Sequence, residues 1–426
     1  MPRLLRMGAS IVLDSLGEGM GNPLQLGLVN YNKGAYITIE GKRANLFYII
    51  RSGRVRIEKD LDIPEEDDEA ILNPGDFFGV VSTMSNHAHI DNAVAMDDCT
   101  LITVRSDQYS LLIERNTPVA MKIINGFSRQ VRLLDQALTR LTFKSSVEVD
   151  ERHLFQVGEY YARQNQFNQA FYAYYKYCIT NPRGSNVATA KQRMVRIKPY
   201  AKTANLNPDT SKFIRHYPKD TMLFAEGENG PELFIIQKGS IRITKIVNNN
   251  EVLLALLKSG DIFGEMALLE NKPRSASAIA HEDSVLMAVN RANFKSMVVE
   301  QPKIIARLTS SLAERIWNLY RQLRNTLIED PVGRLYDSLV LELEKERMDL
   351  TSRQSHTFGF GPNDLINMVG LSRESGRGAI ATLLESKDIT VVDNKLYSAD
   401  ISQIKKSAEY YKKMEIRRES RKERLR

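Results

Sequence analysis

Sixteen residues in the second half of the chain carry side chains suited to hold a phosphate ester beside a sugar hydroxyl. They read F-G-E-M-A-L-L-E-N-K-P-R-S-A-S-A, beginning at Phe263. Gly264 allows close approach of the backbone to a ligand, and the free N–H groups of a helix starting after it favour an anion. Arg274 offers a planar, permanently charged fork to phosphate oxygens, Ser275 a hydroxyl, and Glu265 an acceptor for a ribose 2′-OH. Together these groups predict a small pocket that fits a cyclic nucleotide.

This stretch resembles the phosphate-binding cassette of the cyclic-nucleotide-binding domain, F-G-E-x-A-L-x5-R-[ST]-A. The nine-residue spacing from Glu265 to Arg274 is similar to that of the kinase regulatory subunits, whereas the bacterial cyclic AMP receptor protein has a slightly longer loop. The alternative is a surface salt bridge after a strand. The resemblance implies cyclic AMP as the ligand, with cyclic GMP as the alternative, and these nucleotide-binding residues: Gly264, Glu265, Met266, Ala267, Arg274 and Ser275.

Composition sets the class of protein. The chain has 426 residues, of which 42% are hydrophobic, enough for two or more packed domains. No apolar run approaches the ~18–20 residues that span a bilayer, and the N-terminus lacks a convincing signal-peptide core. We therefore expect a cytoplasmic protein with no membrane partner. Its two cysteines are too few for a disulfide framework or an all-cysteine iron–sulfur cluster.

The first third of the chain repeats the second β-rich segment. Residues 31–57 align with residues 217–243 at an offset of 186, and L-N-P-G-D-F-F-G at 72–79 aligns with L-K-S-G-D-I-F-G at 257–264 at an offset of 185. Short β-rich runs separated by Gly, Asn and Asp turns indicate an antiparallel barrel or jelly roll in each copy. The family resemblance implies a double-stranded β-roll.

The ligand-binding groups are not repeated. At the offset of 185, Val80 aligns with Glu265, His89 with Arg274 and Ile90 with Ser275. An apolar side chain cannot accept a hydrogen bond from a ribose hydroxyl, and a neutral imidazole binds phosphate poorly. The first copy is therefore expected to keep the fold without the nucleotide site. A metal or haem site at His87 and His89 is the alternative to their being ordinary loop or pocket residues.

Helical segments surround the two copies. An amphipathic helix follows the first, and the insert between the copies is predicted to form a tetratricopeptide-like hairpin in which one repeat must pack on a neighbour. The insert is a spacer or, alternatively, binds a protein partner. The hairpin positions are Leu154, Val157, Gly158, Tyr161, Ala170, Tyr174 and Pro182.

An apolar seam in the second copy predicts a long helix that resembles the dimer helix of regulators of the cyclic AMP receptor protein type. The seam consists of Ile305, Leu308, Leu312, Ile316, Leu319, Leu323 and Leu327. It predicts a homodimer, with intramolecular pairing of the two sensor domains as the alternative. The family's purine-contacting Thr-Ser pair falls near Leu319-Tyr320, so Tyr320 joins the candidate nucleotide-binding residues although it departs from the pattern. Asp330-Pro331 ends the helix and is a candidate hinge.

The region after the hinge reads as a helix, a glycine turn at Gly370, a second helix capped by Ser372, and a hairpin. V-G-L-S-R-E at 369–374 resembles the start of the recognition helix in the winged helix of the family. The resemblance implies that Arg373 reads guanine, Glu374 a cytosine amino group, and Ser372 and Ser375 phosphate. The family's second base-reading arginine aligns with Gly378, and Arg377 lies one position earlier, so the operator need not be the family's.

Charge points to a nucleic-acid partner. The formal net charge is +7, and residues 405–426 hold ten Lys/Arg and four Glu, a net +6. Such a tail is an electrostatic footprint for double-stranded DNA, or else a solubilising helical or disordered tail. A winged helix used only for protein contacts is the alternative for the region before it.

The expected fold is multidomain α+β, with two β-roll sensor domains, a helical insert and a C-terminal winged helix-turn-helix. The predicted boundaries are 18–142, 150–203, 206–328, 330–402 and 403–426. The chain is similar to transcription factors of the cyclic AMP receptor protein and fumarate and nitrate reduction regulator type. We expect a cyclic-nucleotide-responsive DNA-binding regulator without catalytic activity, cofactor or metal. The alternative is a cyclic-nucleotide-binding scaffold whose first domain and insert bind protein partners.

Overall fold

The computed structural model describes residues 26–43, 45–59, 70–143, 152–202, 206, 209, 212–247 and 250–424. The predicted domain start at 18, the segment around the 142/150 boundary and the tip of the hairpin after Val247 lie outside these residues. The described chain forms two compact units, residues up to 133 with 152–317, and residues 134–143 with 318–424. None of the described helices is both long and apolar enough to cross a membrane.

The first β-domain consists of two four-stranded antiparallel sheets with strand orders β1-β8-β3-β6 and β2-β7-β4-β5. Its apolar core includes Tyr48, Ile50, Val55, Phe78 and Leu101. Side chains alternate between the two faces of a strand, so residues two apart, such as Tyr48 and Ile50, face the same core between the sheets. The strands are β1 Gly27–Tyr31, β2 Tyr36–Thr38, β3 Leu46–Ser52, β4 Val55–Glu58, β5 Ala70–Leu72, β6 Phe77–Phe78, β7 Asn92–Ala95 and β8 Cys99–Arg105.

The second β-domain has the same topology, with strand orders β9-β16-β11-β14 and β10-β15-β12-β13. Tyr48 pairs with Phe78 in the first domain, and Phe234 pairs with Phe263 at the equivalent place in the second. The internal repeat is therefore a repeat of strand pairing. The strands are β9 Ile214–Tyr217, β10 Met222–Phe224, β11 Glu232–Lys238, β12 Ser240–Val247, β13 Asn250–Lys258, β14 Ile262–Phe263, β15 Ser277–Ala280 and β16 Ser284–Asn290.

Each β-domain carries a short helix after its sixth strand and ends in a long helix. In the first domain these are α1 Val80–Ser85, α2 Tyr109–Arg115 and α3 Thr117–Phe143. Three helices form the insert: α4 His153–Arg163, α5 Phe167–Thr180 and α6 Val187–Ile197. In the second domain the helices are α7 Glu265–Glu270, α8 Arg291–Glu300 and α9 Pro302–Leu327.

The apolar seam of α9 is covered inside the first unit. Tyr109 Oη in α2 lies 3.2 Å from Thr309 Oγ1 in the seam helix, and both side chains are buried. The sequence predicts that this seam pairs with a second chain, with pairing inside the chain as the alternative, and in the structure Tyr109 of the first half contacts α9 beside the seam. The covered apolar residues, each at most 1% exposed, are Ile305, Leu308, Leu312 and Ile316.

The insert packs on itself and on the second β-domain. A Cβ added at Gly158 would lie 2.6 Å from the Tyr174 ring, so the glycine allows α4 and α5 to pack closely. Helix α6 supplies Ala190 and Ile197 to the same core. Three β-domain residues complete this core: Met222, Ala225 and Ile279. That this hairpin is a tetratricopeptide repeat stays a prediction.

The second unit is built around α10 Pro331–Lys345. The Asp330 side chain accepts from Val332 N at 3.0 Å and from Gly333 N at 3.2 Å, which caps the helix beside its Pro331 start. A small sheet in the order β17-β19-β18 packs with the helices. The remaining elements are β17 His356–Thr357, α11 Pro362–Met368, α12 Arg373–Glu385, β18 Thr390–Val392, β19 Lys395–Ser398 and α13 Ile401–Arg424.

The basic tail continues as helix α13, and its first turns belong to the core of the second unit. Ile401 and Ile404 are fully buried, and the ring of Tyr411 stacks on that of Tyr336 with centroids 5.8 Å apart. The start of the tail is therefore a structural helix that packs in the core of the second unit.

Candidate functional site

Gly264 is required where β14 ends and α7 begins. Its φ is +76°, a conformation that other residues adopt at a cost. A Cβ added there would also lie 2.7 Å from Nη1 of Arg274. The glycine therefore allows the Arg274 guanidinium to lie against the backbone at the start of α7.

Arg274 is a buried cation with part of its hydrogen-bonding capacity unused. It is 6% exposed, its Nη1 donates to Gly264 O at 2.6 Å and its Nη2 to Glu232 O at 2.7 Å. The guanidinium carbon lies 4.0 Å from the centroid of the Phe224 ring. Burial lowers the pKa of Arg274, and the nearby Glu228 opposes that shift. Among the described residues, Nε has no hydrogen-bond partner, so this site holds a positive charge that an anion can satisfy.

Glu265 is the carboxylate that accompanies this cation. It is 1% exposed, and its Oε1 accepts from Nη1 of Arg315 on α9 at 2.9 Å. Within the described ranges its Oε2 is buried without a partner. One oxygen of Glu265 is thus held by a salt bridge, while the other can accept from a ligand hydroxyl.

The other predicted nucleotide-binding residues lie at different depths. Met266 and Ala267 are buried on α7, and Ser275 is half-buried with its Oγ 3.9 Å from Met266 Sδ. Tyr320 is buried on α9 but belongs to the other compact unit. The structure thus brings the cassette residues together in the second β-domain, and placement of Tyr320 at the purine stays a prediction.

The loop at residues 226–230, which the sequence analysis does not single out, contacts the backbone and the guanidinium of Arg274. Arg274 N donates to Glu228 O at 2.8 Å, and Gly227 N donates to Arg274 O at 2.9 Å. A Cβ added at Gly230 would lie 2.5 Å from Arg274 Nη2. The repeated Glu-Gly pair at 40–41 and 226–227 was the available signal for this loop.

The insert contacts the same loop through its second helix. The Glu228 carboxylate accepts from Ala225 N at 3.0 Å and from the Tyr172 hydroxyl at 3.0 Å, and Lys176 Nζ lies 2.8 Å away. Tyr172 is 2% exposed, and burial raises its pKa well above its ordinary value. The insert therefore helps to fix the loop on which Arg274 rests.

The equivalent position in the first β-domain has the same backbone without the charges. Gly79 has a φ of +75°, like Gly264. Val80 is 2% and His89 4% exposed, and among the described residues neither ring nitrogen of His89 has a hydrogen-bond partner. Burial lowers the pKa of His89, which keeps the imidazole neutral near pH 7. The two positions that align with Glu265 and Arg274 therefore carry an apolar side chain and a neutral imidazole.

His87 and His89, the candidate metal or haem residues of the first domain, lie in different surroundings. His87 Nε2 lies 2.9 Å from Glu314 Oε1, so this histidine already contacts a carboxylate. In the described part of the chain, no group of three or more His, Cys, Asp or Glu side chains could hold a metal ion.

The predicted DNA-contacting residues lie at the start of α12. The Ser372 Oγ accepts from Ser375 N at 3.2 Å and caps the helix. The Glu374, Ser375 and Arg377 side chains are exposed. Arg373 begins the helix, but its side chain lies outside the described part of the structure. The first turns of α12 therefore present polar groups to solvent.

Two glycines divide this helix into a packed face and an open face. A Cβ added at Gly376 would lie 2.5 Å from Ile366 Cγ2 on α11, so this residue lets α11 and α12 pack closely. At Gly378 a Cβ would meet nothing within 4 Å. Gly378 therefore lies on the open face of α12, at the position where the resembling family carries its second base-reading arginine.

The chain matches the cyclic nucleotide-binding domain family twice, at residues 28–116 and 214–301. Apart from Gly27, the first residue of β1, these two ranges include β1 to β8 and β9 to β16 respectively. Both β-domains are therefore cyclic-nucleotide-binding domains by descent, although only the second carries the carboxylate and the guanidinium.

Curated relatives match a part of the chain. The cAMP-activated global transcriptional regulator of Pasteurella multocida is 29% identical over 194 residues, which are 44% of this chain and 92% of the relative. The cyclic AMP receptor protein of Thermus thermophilus is 30% identical over 172 residues, 40% of this chain and 76% of the relative. The solved catabolite activator protein of Thermus thermophilus is 25% identical, covers 46% of this chain and 90% of its own, and has a TM-score of 0.27.

Proposed function

The chain belongs to the cyclic AMP receptor protein family, and from this premise we propose that it is a cyclic-nucleotide-responsive transcription regulator that binds DNA. The observation that carries the proposal is that the second β-domain holds two buried polar atoms with no hydrogen-bond partner among the described residues. They are Arg274 Nε and Glu265 Oε2. A cyclic nucleotide has an anionic phosphate for the first and a ribose hydroxyl for the second.

Cyclic AMP is the proposed ligand. Its phosphate would bind Arg274, Ser275 and the backbone from Gly264 to Ala267, its 2′-OH would bind Glu265, and its purine would lie near Tyr320. The names of the two relatives, a cAMP-activated regulator and a cyclic AMP receptor protein, support this choice. Arg315 would hold the carboxylate in place through the contact on Oε1. Cyclic GMP remains the alternative nucleotide.

Double-stranded DNA is the proposed partner of the second unit. Residues 330–402 would form a winged helix, with α12 as the recognition helix and β18–β19 as the wing. The exposed Glu374, Ser375 and Arg377 at the start of α12 support this reading. Nucleotide binding would shift the winged helix about Asp330-Pro331 into a DNA-binding arrangement. The remaining boundaries at 18–142, 150–203, 206–328 and 403–426 belong to the same proposal.

The proposal is tested by selecting duplexes from a random pool with the full chain, with and without cyclic AMP. We expect a preferred sequence to be retained more strongly when cyclic AMP is present, because a ligand favours the conformation to which it binds better. Equal retention of selected and scrambled duplexes in both conditions would contradict DNA regulation. Nucleotide binding without DNA retention would favour the scaffold alternative.

Removing the last turns of the basic tail should weaken all DNA binding alike. Truncation after Ile416 removes six Lys/Arg and two Glu but keeps Tyr411, which stacks on Tyr336. Tail charges that contact phosphates bind DNA of any sequence, so the affinities for selected and scrambled duplexes should fall by similar factors. The dependence of log K on log salt should become shallower by about 0.9 for each phosphate that the tail no longer neutralises, and we expect about two such phosphates.

A salt titration of full-length and truncated chains measures this effect. The matched control replaces Glu419 and Glu423 with glutamine, which should make the salt dependence no shallower. Identical salt slopes for the full-length and truncated chains would show that these tail charges do not contact DNA.

A further inference from the structure

The two halves of the first unit contact each other through residues at equivalent positions of the repeat. Arg132 on α3 donates from Nη1 to Pro273 O at 3.2 Å, and Trp317 on α9 donates from Nε1 to Ala88 O at 3.2 Å. Arg132 and Trp317 are 185 residues apart, and so are Ala88 and Pro273. This is the offset that relates the two cassettes. Each long helix therefore donates to the same carbonyl in the cassette of the other half.

Such reciprocity is the mark of a twofold interface. In a symmetric dimer, residue i of one subunit contacts residue j of the other, and residue j contacts residue i. Here both contacts lie within one chain, between two domains with the same strand topology. The arrangement is a pseudo-twofold pair of β-domains.

The side chains around the two reciprocal contacts differ. Next to Pro273, Arg132 Nε lies 3.0 Å from Glu270 Oε2, and Ser128 Oγ donates to Glu270 Oε1 at 2.9 Å. The Arg132 and Glu270 side chains are 8% and 9% exposed. This is a buried ion pair, and removing one partner would leave the other charge buried.

The opposite contact is aromatic. The ring of His87 stacks on that of Trp317 with centroids 3.8 Å apart and an interplanar angle of 12°. Glu314 is 2.9 Å from the His87 Nε2. The Arg132–Pro273 contact is accompanied by an ion pair, and the Trp317–Ala88 contact by stacked rings. Because these surroundings differ, each half is complementary to the other half and not to a second copy of itself. If the second halves of two chains paired with each other, Trp317 of one would lie against Glu270 of the other, where this structure places Arg132.

We propose that the first β-domain takes the place of a second subunit, so that the sensing unit of this protein is complete within one chain. In the first domain Ala88 O and the His87 ring contact Trp317 on α9, and Tyr109 lies against Thr309 of the same helix. This inference goes beyond the proposed function, because it concerns pairing of the domains and requires neither nucleotide nor DNA.

A charge exchange tests whether the pairing lies within the chain. Arg132→Glu and Glu270→Arg each place like charges together, and the double variant restores an opposite pair. Trp317 is the sole tryptophan of the chain and lies in the interface, so its fluorescence reports pairing directly. We expect the emission of each single variant to shift to the red and that of the double variant to return toward wild type.

Mixing the two single variants separates pairing within a chain from pairing between chains. If the contact lies within one chain, the mixture keeps the red-shifted emission. Light scattering then finds no dimer that joins one Arg132→Glu chain to one Glu270→Arg chain. Recovery of the emission in the mixture, with a mass near twice 48.4 kDa, would overturn the proposal. Unshifted emission in both single variants would overturn it as well.

Two further sets of variants serve as controls for folding and for the specificity of the emission change. Glu270→Gln keeps the side-chain size, Arg132→Gln shortens the side chain, and neither creates repulsion; they give the same readout if the charge reversals prevent folding. The matched control exchanges Arg54 and Asp97, an exposed ion pair of the first domain at 2.7 Å. Its single and double variants should leave the Trp317 emission unchanged, since exposed pairs contribute little.

Discussion

Arg274→Ala is expected to weaken cyclic AMP binding at least ~30-fold. Its guanidinium is buried against two carbonyls, with Nε available to an anion. Loss of a buried, charge-assisted contact costs roughly 2–5 kcal/mol, and each 1.4 kcal/mol changes affinity about tenfold. Titration calorimetry measures both the affinity and the number of sites. We expect one site per chain in the wild type, because the first cassette lacks the carboxylate and the cation.

Two controls accompany this measurement. Arg54→Ala removes an exposed arginine from the first β-domain and should leave nucleotide affinity unchanged. Arg274→Lys keeps the charge but loses the planar fork, so its affinity should fall between those of wild type and Arg274→Ala. Two equivalent sites per chain, or unchanged affinity in a folded Arg274→Ala protein, would be incompatible with the proposed site.

Arg373→Ala is expected to cost ~1–3 kcal/mol on the preferred duplex and to relax preference at one base pair. A bidentate contact to guanine has this magnitude, and losing it affects one position of the site. The residue begins α12, directly after the capping Ser372. Binding is measured by anisotropy on the selected duplex and on single-base variants of it, at one fixed salt concentration.

Arg353→Ala is the matched control for Arg373→Ala, because it removes one exposed positive charge from the same unit outside α12. It should weaken selected and scrambled duplexes equally, and only slightly. If Arg373→Ala keeps full discrimination at every base pair, the helix binds DNA in another orientation or does not read bases.

The β-domains could be predicted from the sequence because their information is local and appears twice. The turn glycines, the alternating strands and the cassette spacing all lie within short windows. Gly79 and Gly264 have φ values of +75° and +76°, as a repeated L-x-x-G-D-x-F-G pattern suggests. The placement of the capping Ser372 and the turn at Gly370 follows from local signals of the same kind.

The parts that could not be predicted depend on distant segments. Arg315 reaches Glu265 across fifty residues of sequence, and Tyr172 reaches Glu228 across fifty-six. No local pattern marks either pair. An amphipathic helix likewise shows that one face is covered without showing what covers it. For this reason the α9 seam suggests a second chain, and no local pattern predicts the contact that Tyr109 makes with Thr309 on the same helix.

The replacement of a cation by His89 in the first cassette has a consequence for how steeply the protein responds to its signal. The Hill coefficient of a binding curve cannot exceed the number of interacting sites. A self-contained sensing unit with one competent site would follow simple mass action, in which occupancy rises from a tenth to nine-tenths over about two decades of ligand concentration. Such a protein would respond gradually to the concentration of the cyclic nucleotide, without the sharp threshold of a cooperative response.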